Sequence, residues 1–234
     1  MLKIYGTNPI KAALEAKTLQ KVLVSSEYRN KGLIESIKSK NIQIEITSRQ
    51  KLDSLVKENH QGIIGYQKDI YTVGIEEIIA ISKKKINPII VMLDELSDPH
   101  NLGAILRSAD AFDVAGIVYK KKGSVSLNDT VAKVSTGAIN FVKCAEVTNL
   151  SAAIKKLKEV GFWVVGLDGN SDLTLKNTPR DCPICLVVGS EGFGISRLVK
   201  SNCDIVAKIP MFGRVNCLNA SVATSIALYA LRNL

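Results

Sequence analysis

LVVGSEGFGIS, residues 186–196, sets a glycine turn between a continuously apolar run and the start of an amphipathic one. Against the phosphate-cradling pattern G-x-x-x-x-G-K-[ST] it keeps Gly189, Gly194 and Ser196 but carries Ile195 where the lysine belongs. A carboxylate, Glu191, sits inside the turn. The glycines let backbone N–H groups approach a ligand closely, yet Glu191 would repel a pyrophosphate and Ile195 offers it no charge. The turn therefore suits a nucleoside without phosphates, or a cationic one. A plain glycine turn with Glu191 at a helix start, where the helix dipole favours it, accounts for the same residues without a ligand.

Outward from this turn, residues 88–234 alternate between strand-like and helical runs. INPIIVMLDEL, AGIVYKK, FVKCAEV, FWVVGLD, CLVVGS and DIVAKIP read as strands. LGAILRSADAFD, TVAKVSTGAI, LSAAIKKLKEV, ISRLVKS and ASVATSIALYALRNL read as helices. Several strands are apolar throughout, as strands covered on both faces are, so we expect a mostly parallel sheet wrapped by helices with its ligand beyond the strands' carboxyl ends. Residues 1–70 form a second, smaller alternation: helical NPIKAALEA, apolar KVLVS, helical GLIESIKSK, alternating IQIEIT, helical SRQKLDSLVKE and apolar QGIIGYQ. Between the two, residues 71–87 read as a short helix and a linker through Lys83, Lys84 and Lys85 to Asn87-Pro88.

The composition sets the outer bounds. With 234 residues, 46% hydrophobic and 23% charged, the chain is ordinary globular material. No apolar run approaches the roughly 20 residues of a membrane span, and MLKIYGTNPIKAALEA lacks the order of a signal peptide, which leads us to expect a soluble cytoplasmic protein. The formal charge is +9, with 12 basic and 7 acidic groups in residues 1–70 against 16 and 13 in residues 88–234. Such an excess is compatible with a polyanion such as RNA, through counterion release. Five scattered cysteines read as reduced thiols. Cys182 and Cys185 form a C-x-x-C at a strand's entrance, where packing explains them, and with only His60 and His100 available no second pair completes a metal site.

Two further strand-to-helix junctions carry chemistry. In LDELSDPHNLGAILRSADAF, Asp98-Pro99 breaks the strand, Asn101 is placed to cap the helix, and Leu102, Ile105, Leu106, Ala109 and Phe112 form its buried stripe. Arg107 falls beside that stripe, where a guanidinium needs an anionic partner or a route to solvent. In KIPMFGRVNCLNASVATSIALYAL, Gly213 interrupts the strand, Asn216 and Asn219 bring amide donors and acceptors, and Ser221 opens a small-residue helix suited to close backbone approach. Helix capping alone explains Asn219 or Ser221.

Taken together, DPHNLGAILRSADAF, LVVGSEGFGISRLV and IPMFGRVNCLNASVA resemble the three ordered motifs of the SpoU (TrmH-type) RNA ribose 2'-O-methyltransferases of the SPOUT superfamily. The front unit, including NHQGIIGY, is similar to the small α/β RNA-binding domain that the ribosomal-RNA branch carries ahead of its catalytic domain. The resemblance implies a parallel sheet with a C-terminal trefoil knot over residues 88–234, S-adenosyl-L-methionine as methyl donor, and a homodimer. It implies a ribose 2'-hydroxyl as acceptor, with guanosine in large-subunit ribosomal RNA ahead of transfer RNA; the other outcome is a non-catalytic RNA-binding assembly factor on the same fold. By family position Gly189, Ile209, Met211 and Leu218 line the cofactor pocket, and Asn101, Arg107, Glu191, Asn219 and the adjoining Ser221 handle catalysis and substrate. Arg107 stays protonated, so a phosphate-binding and alkoxide-stabilising role suits it better than that of a base. This chain departs from the family pattern at Cys217, where serine is usual.

Overall fold

The structure, a computed structural model, describes residues 1–179, 181–190, 192–215 and 217–233. In chain order its elements are β1 (Leu2–Tyr5), α1 (Thr7–Glu15), β2 (Leu19–Ser25), α2 (Lys31–Ser39), β3 (Gln43–Thr47), α3 (Arg49–Leu55), β4 (Ile63–Gln67) and α4 (Ile75–Ser82). There follow β5 (Ile89–Leu93), α5 (Pro99–Ala111), β6 (Gly116–Lys120), α6 (Asp129–Val134), β7 (Cys144–Val147), α7 (Leu150–Glu159) and β8 (Trp163–Leu167). The chain closes with β9 (Ile184–Val188), α8 (Arg197–Ser201), β10 (Ile205–Ala207) and α9 (Ala220–Asn233). Its contacts fall into two compact units, Met1–Ile70 with Leu127–Phe141, and Tyr71–Ser126 with Val142–Leu234.

The first unit is a four-stranded sheet in the order β1-β4-β2-β3. β4 runs antiparallel to both of its neighbours, while β2 and β3 pair in parallel. α1 sits so close to β4 that a Cβ added at Gly65 would lie 2.3 Å from Ile10 Cδ1. The NHQG turn is pinned by His60, whose Nδ1 accepts from the Gly62 N–H at 3.0 Å while Nε2 lies 2.8 Å from Asp53 Oδ1. Asn140 fixes residues 127–141 to this unit, accepting from Thr18 Oγ1 at 2.8 Å and donating to the buried Gln67 Oε1 at 3.3 Å. The strand β1 was not anticipated; four residues carry too little periodicity to be read, and β1 exists through its register with β4, Leu2 opposite Gln67 through Tyr5 opposite Ile64.

The second unit is a six-stranded sheet in the order β10-β8-β9-β5-β6-β7, every neighbour parallel. β5 and β9 are buried at all five positions, as central parallel strands under helices on both faces should be. Residues 71–87, expected as a short helix and a linker, do hold a helix. α4 belongs to the core of the second unit, with Ile75, Ile78 and Ile79 buried among Ile90, Met92 and Val118. Its seat on β6 is so close that a Cβ at Gly116 would come within 2.9 Å of Ile78. The exposed Lys83 and Lys84 after the helix gave the segment its linker-like look. Residues 127–141, inside the expected second domain, group by their contacts with the first unit. Among the described residues no helix is long and apolar enough to cross a membrane, and no cluster of three His, Cys, Asp or Glu could hold a metal ion.

Candidate active site

All six strands of the parallel sheet end on one side, and the loops leaving β8, β9 and β10 enclose a cleft of about 650 Å³ with the start of α9. The four residues expected to line a cofactor pocket, Gly189, Ile209, Met211 and Leu218, all line this cleft. Cys217 and Asn219 line it too.

The turn after β9 shows why its residue types are what they are. Ser190 and Gly194 exchange both backbone hydrogen bonds, at 3.1 and 3.0 Å, which folds the turn back on itself. Gly189 lies under that fold, where a Cβ would sit 2.0 Å from Gly194 C and 2.2 Å from Ile195 N. Ile195 is buried in the core with Met92, Val187 and Val199, so the residue replacing a phosphate-binding lysine is the apolar anchor that clamps the turn to the sheet. A second anchor went unread in the sequence. Asp94, 3% exposed just past β5, accepts the Ser196 N–H at 2.8 Å and donates its own N–H to the Val188 carbonyl at 2.9 Å. An aspartate ending an apolar strand in LDEL was the available signal.

A carboxylate, Asp168, comes from the end of β8 and was also missed. It accepts from Lys200 Nζ at 2.5 Å and from the Asn170 N–H at 2.8 Å. The Lys200 hydrogen bond, followed by that of the Asn170 backbone, holds its pKa below the usual carboxylate range. Among the described lining residues this is the one charged side chain, and none is Lys, Arg or His. The described lining thus offers a phosphate no cation of its own, and the charge of Asp168 is balanced by Lys200.

Asn101 and Asn219 are brought together. Asn219 Oδ1 caps α9, accepting from the Ser221 N–H at 2.9 Å, the Val222 N–H at 3.3 Å and Ser221 Oγ at 2.6 Å. That capping commits the amide's oxygen and leaves Nδ2 to donate to Asn101 Oδ1 at 2.9 Å, joining α5 to α9. Further along the same pair of helices, Ser108 Oγ and Ser225 Oγ lie 2.7 Å apart. Asn101 does not cap α5, as was expected. Asp98 does, accepting from the His100 N–H at 2.8 Å, because Pro99 is best placed as the first helical residue; Asn101 becomes a buried residue of the first turn. Arg107 lies on α5 as expected and is exposed. Glu191 and Asn216 lie outside the described residues. Cys185 sits inside β9, where burial raises its thiol far above the ordinary range, and Cys182 is raised by partial burial and by Asp181.

Known proteins align with both units. Residues 88–229 match the SpoU rRNA Methylase family, and residues 3–70 match the family described as RNA 2'-O ribose methyltransferase substrate binding. A protein of Bacillus subtilis (strain 168), YacO, assigned to the TrmH family of tRNA/rRNA methyltransferases, is 40% identical over 231 residues, covering 97% of this chain and 93% of its own. One from Staphylococcus haemolyticus (strain JCSC1435) with the same assignment is also 40% identical over 231 residues, with the same coverage. Among solved structures, the SpoU methyltransferase AviRb from Streptomyces viridochromogenes superposes with a TM-score of 0.81 at 21% identity, over 98% of this chain and 88% of that one. An AdoMet-bound rRNA methyltransferase from Sinorhizobium meliloti does so with a TM-score of 0.79 at 19% identity, over 99% and 86%.

Proposed function

Since the chain belongs to the SpoU rRNA methylase family, we propose that it methylates a ribose 2'-hydroxyl, of guanosine, in large-subunit ribosomal RNA, with S-adenosyl-L-methionine as donor. The lining of the cleft carries this reading. A pocket without a basic side chain among its described lining, built on a clamped glycine turn and with its one aspartate balanced by Lys200, fits a nucleoside that carries no phosphate and gives a nucleotide's phosphates nothing to bind. Gly189, Ile209, Met211 and Leu218 would hold the donor. When bound it supplies a methyl carbon on a positively charged sulfur, ready for attack from the opposite side.

The protein's own part is alignment and charge. A ribose hydroxyl is a poor nucleophile at neutral pH, so it must be held in line and must shed its proton as the new bond forms. The Asn101–Asn219 bridge fixes the start of α9 beside the lining residue Leu218, and with it the wall against which the ribose would rest. Arg107 would hold the adjoining RNA phosphate and stabilise the alkoxide as the proton leaves to water; a guanidinium cannot take that proton itself. Ser221 supports Asn219 from the first turn of α9.

Three further readings accompany this one. The C-terminal segment would pass through a trefoil knot, a threading favoured by how closely the exit of β10 is laced to residues 168–175: Asp168 N–H to Ala207 O, Lys208 N–H to Leu173 O, and Leu175 N–H to Lys208 O, at 3.0, 2.8 and 3.3 Å. A homodimer is favoured by the stripe Val222, Ile226 and Tyr229, exposed along α9 at helical spacing. RNA engagement by the first unit is favoured by its basic excess and by its match to the substrate-binding family. Calorimetry with S-adenosyl-L-methionine and with ATP, then transfer of labelled methyl to ribosomal and transfer RNA from cells lacking the protein, tests the whole. We expect binding of the first ligand alone and labelling of ribosomal RNA. A cleft that prefers ATP would overturn the reading, and labelling confined to transfer RNA would replace its substrate.

A further inference from the structure

Two phenylalanines on the loops of the cleft are almost fully in water, Phe193 at 95% and Phe212 at 98% exposure. Phe193 is itself part of the cleft wall, and Phe212 follows the lining residue Met211. Neither exposure is an accident of a loose terminus. Phe193 stands between Gly192 and Gly194, both at positive φ of 91° and 67°, on the turn that Ser190 and Gly194 close; a backbone shaped this way raises one side chain clear of its neighbours. Phe212 precedes Gly213, where an added Cβ would meet nothing within 4 Å. Each phenylalanine is followed within four residues of sequence by an exposed arginine, Arg197 at the first residue of α8 and Arg214 two residues beyond Phe212. Among the described residues neither arginine takes part in an ion pair.

Exposed rings and exposed guanidinium groups a few residues apart in sequence, repeated on two loops of one cleft, are the chemistry of single-stranded RNA. Aromatic faces stack on bases of any identity, while cations track the phosphates. An apolar protein partner would be served by the rings and opposed by the two charges, which it would have to desolvate. We infer that Phe193 and Phe212 form the seat for the unstacked base of the nucleotide whose ribose is presented to the cleft, with Arg197 and Arg214 taking the phosphates on either side. The inference rests on the RNA-methylation reading and adds to it. Because stacking reads a π-face and not an edge, this seat demands a base that can leave its helix and is indifferent to which base it is. Choice of the nucleotide is then left to the shape of the RNA around it.

The test uses the full chain and two fluorescent probes, a ten-nucleotide single-stranded RNA of mixed sequence and the same oligomer made of abasic riboses, with anisotropy read over a range of salt. The double variant Phe193→Ala/Phe212→Ala should lose roughly ten- to a hundredfold of its affinity for the base-bearing oligomer, keep its salt slope, and bind the abasic oligomer as the parent does. Phe193→Tyr/Phe212→Tyr should restore the affinity. Arg197→Ala and Arg214→Ala should each lower the salt slope by about one on both probes. Equal affinity of the double variant and the parent for the base-bearing oligomer overturns the seat, as does an equal loss on both probes. Light scattering covers a second copy as occupant: a mass that falls in the double variant assigns the rings to self-association and overturns the inference. Cofactor titration of Phe212→Ala separates the two levels. If the parent itself binds no S-adenosyl-L-methionine, the proposed function fails whatever the oligomers do; if cofactor binding persists and the oligomers fail to discriminate, the seat alone is lost.

Discussion

The two sheets of this chain use the same ingredients, apolar strands and amphipathic helices, and differ in one strand's direction. In the first unit β4 runs against β1 and β2, so the carboxyl ends of the strands are shared between two edges of the sheet. In the second all six strands run one way, and every carboxyl end falls on a single side. Only there can the turns after β8, β9 and β10 converge on one cleft. Direction, more than composition, decides which half can carry chemistry.

A pair of glycines tests that contrast most severely. At Gly189 an added Cβ meets backbone, 2.0 Å from Gly194 C, and the turn has to open; Gly189→Ala should cost about a hundredfold or more in cofactor affinity by calorimetry, the scale of effect seen when site geometry is displaced by an ångström. At Gly65 the same Cβ meets the tip of a side chain, Ile10 Cδ1, which can turn aside. Gly65→Ala should lower stability by about 1–3 kcal/mol in chemical denaturation and leave cofactor affinity alone. A loss of cofactor binding in the Gly65 variant would erase the division of labour between the sheets.

Within the second sheet, binding and transfer separate next. Arg107→Ala should reduce single-turnover methylation by about a hundred- to a thousandfold while cofactor affinity stays within about twofold, because in the proposed function the guanidinium acts on the RNA and the developing oxyanion. Turnover equal to the parent's would remove Arg107 from the reaction.

The anchor of the glycine turn gives a smaller effect. Asp94→Ala leaves the Ser196 N–H without its acceptor, which costs about 1–3 kcal/mol and should weaken cofactor binding about tenfold. Asp94→Asn keeps an oxygen in place and should recover most of that. Equal losses in both variants would mean that the charge of Asp94, and not its hydrogen bond, matters.

How much of this could be read in advance follows from how local each cause is. Apart from β1, the strand and helix alternation of both units, the burial of Leu102, Ile105, Leu106 and Ala109 but not the half-buried Phe112, and the convergence of Gly189, Ile209, Met211 and Leu218 followed from residues near one another in sequence or from the family motifs. Asp94, Asp168 and the anchoring role of Ile195 did not, because their partners are 102, 32 and many other residues away and no periodicity announces a hydrogen bond. The capping of α5 by Asp98 was legible and misread, since Pro99 at the first helical position should have outweighed Asn101. The grouping of residues 127–141 with the first unit is a purely tertiary choice, made by Asn140 meeting Thr18 and Gln67, by Asp129 accepting from the Lys3 N–H and by Lys133 donating to the Tyr5 carbonyl.

Asp168 sharpens the electrostatic side of the comparison through pH. Its folded pKa is depressed by Lys200, so the stability and the negative charge it contributes are present above the unfolded value of about 4 and are lost only as pH falls through the lower folded value. Cofactor affinity should therefore hold on acidification to about pH 4 as far as this group is concerned. Lys200→Met removes the first cause of the shift and should move the acid limb upward, toward the ordinary carboxylate range. An acid limb unchanged in that variant would detach Asp168 from cofactor binding.

The smallest expected effect is at Cys217. It lies in the lining of the cleft, exposed, two residues before the Asn219 amide that carries the helix cap and the bridge to Asn101. Those bonds are made by Asn219 whatever precedes Leu218, so the alignment of the wall does not depend on a hydroxyl at this position. A thiol is bulkier and a weaker hydrogen-bond partner than the serine usual in the family. Cys217→Ser should change single-turnover methylation by no more than about twofold, or about 0.4 kcal/mol. A larger gain would show that the family's serine touches the reacting nucleotide directly, and that this chain works with one contact fewer.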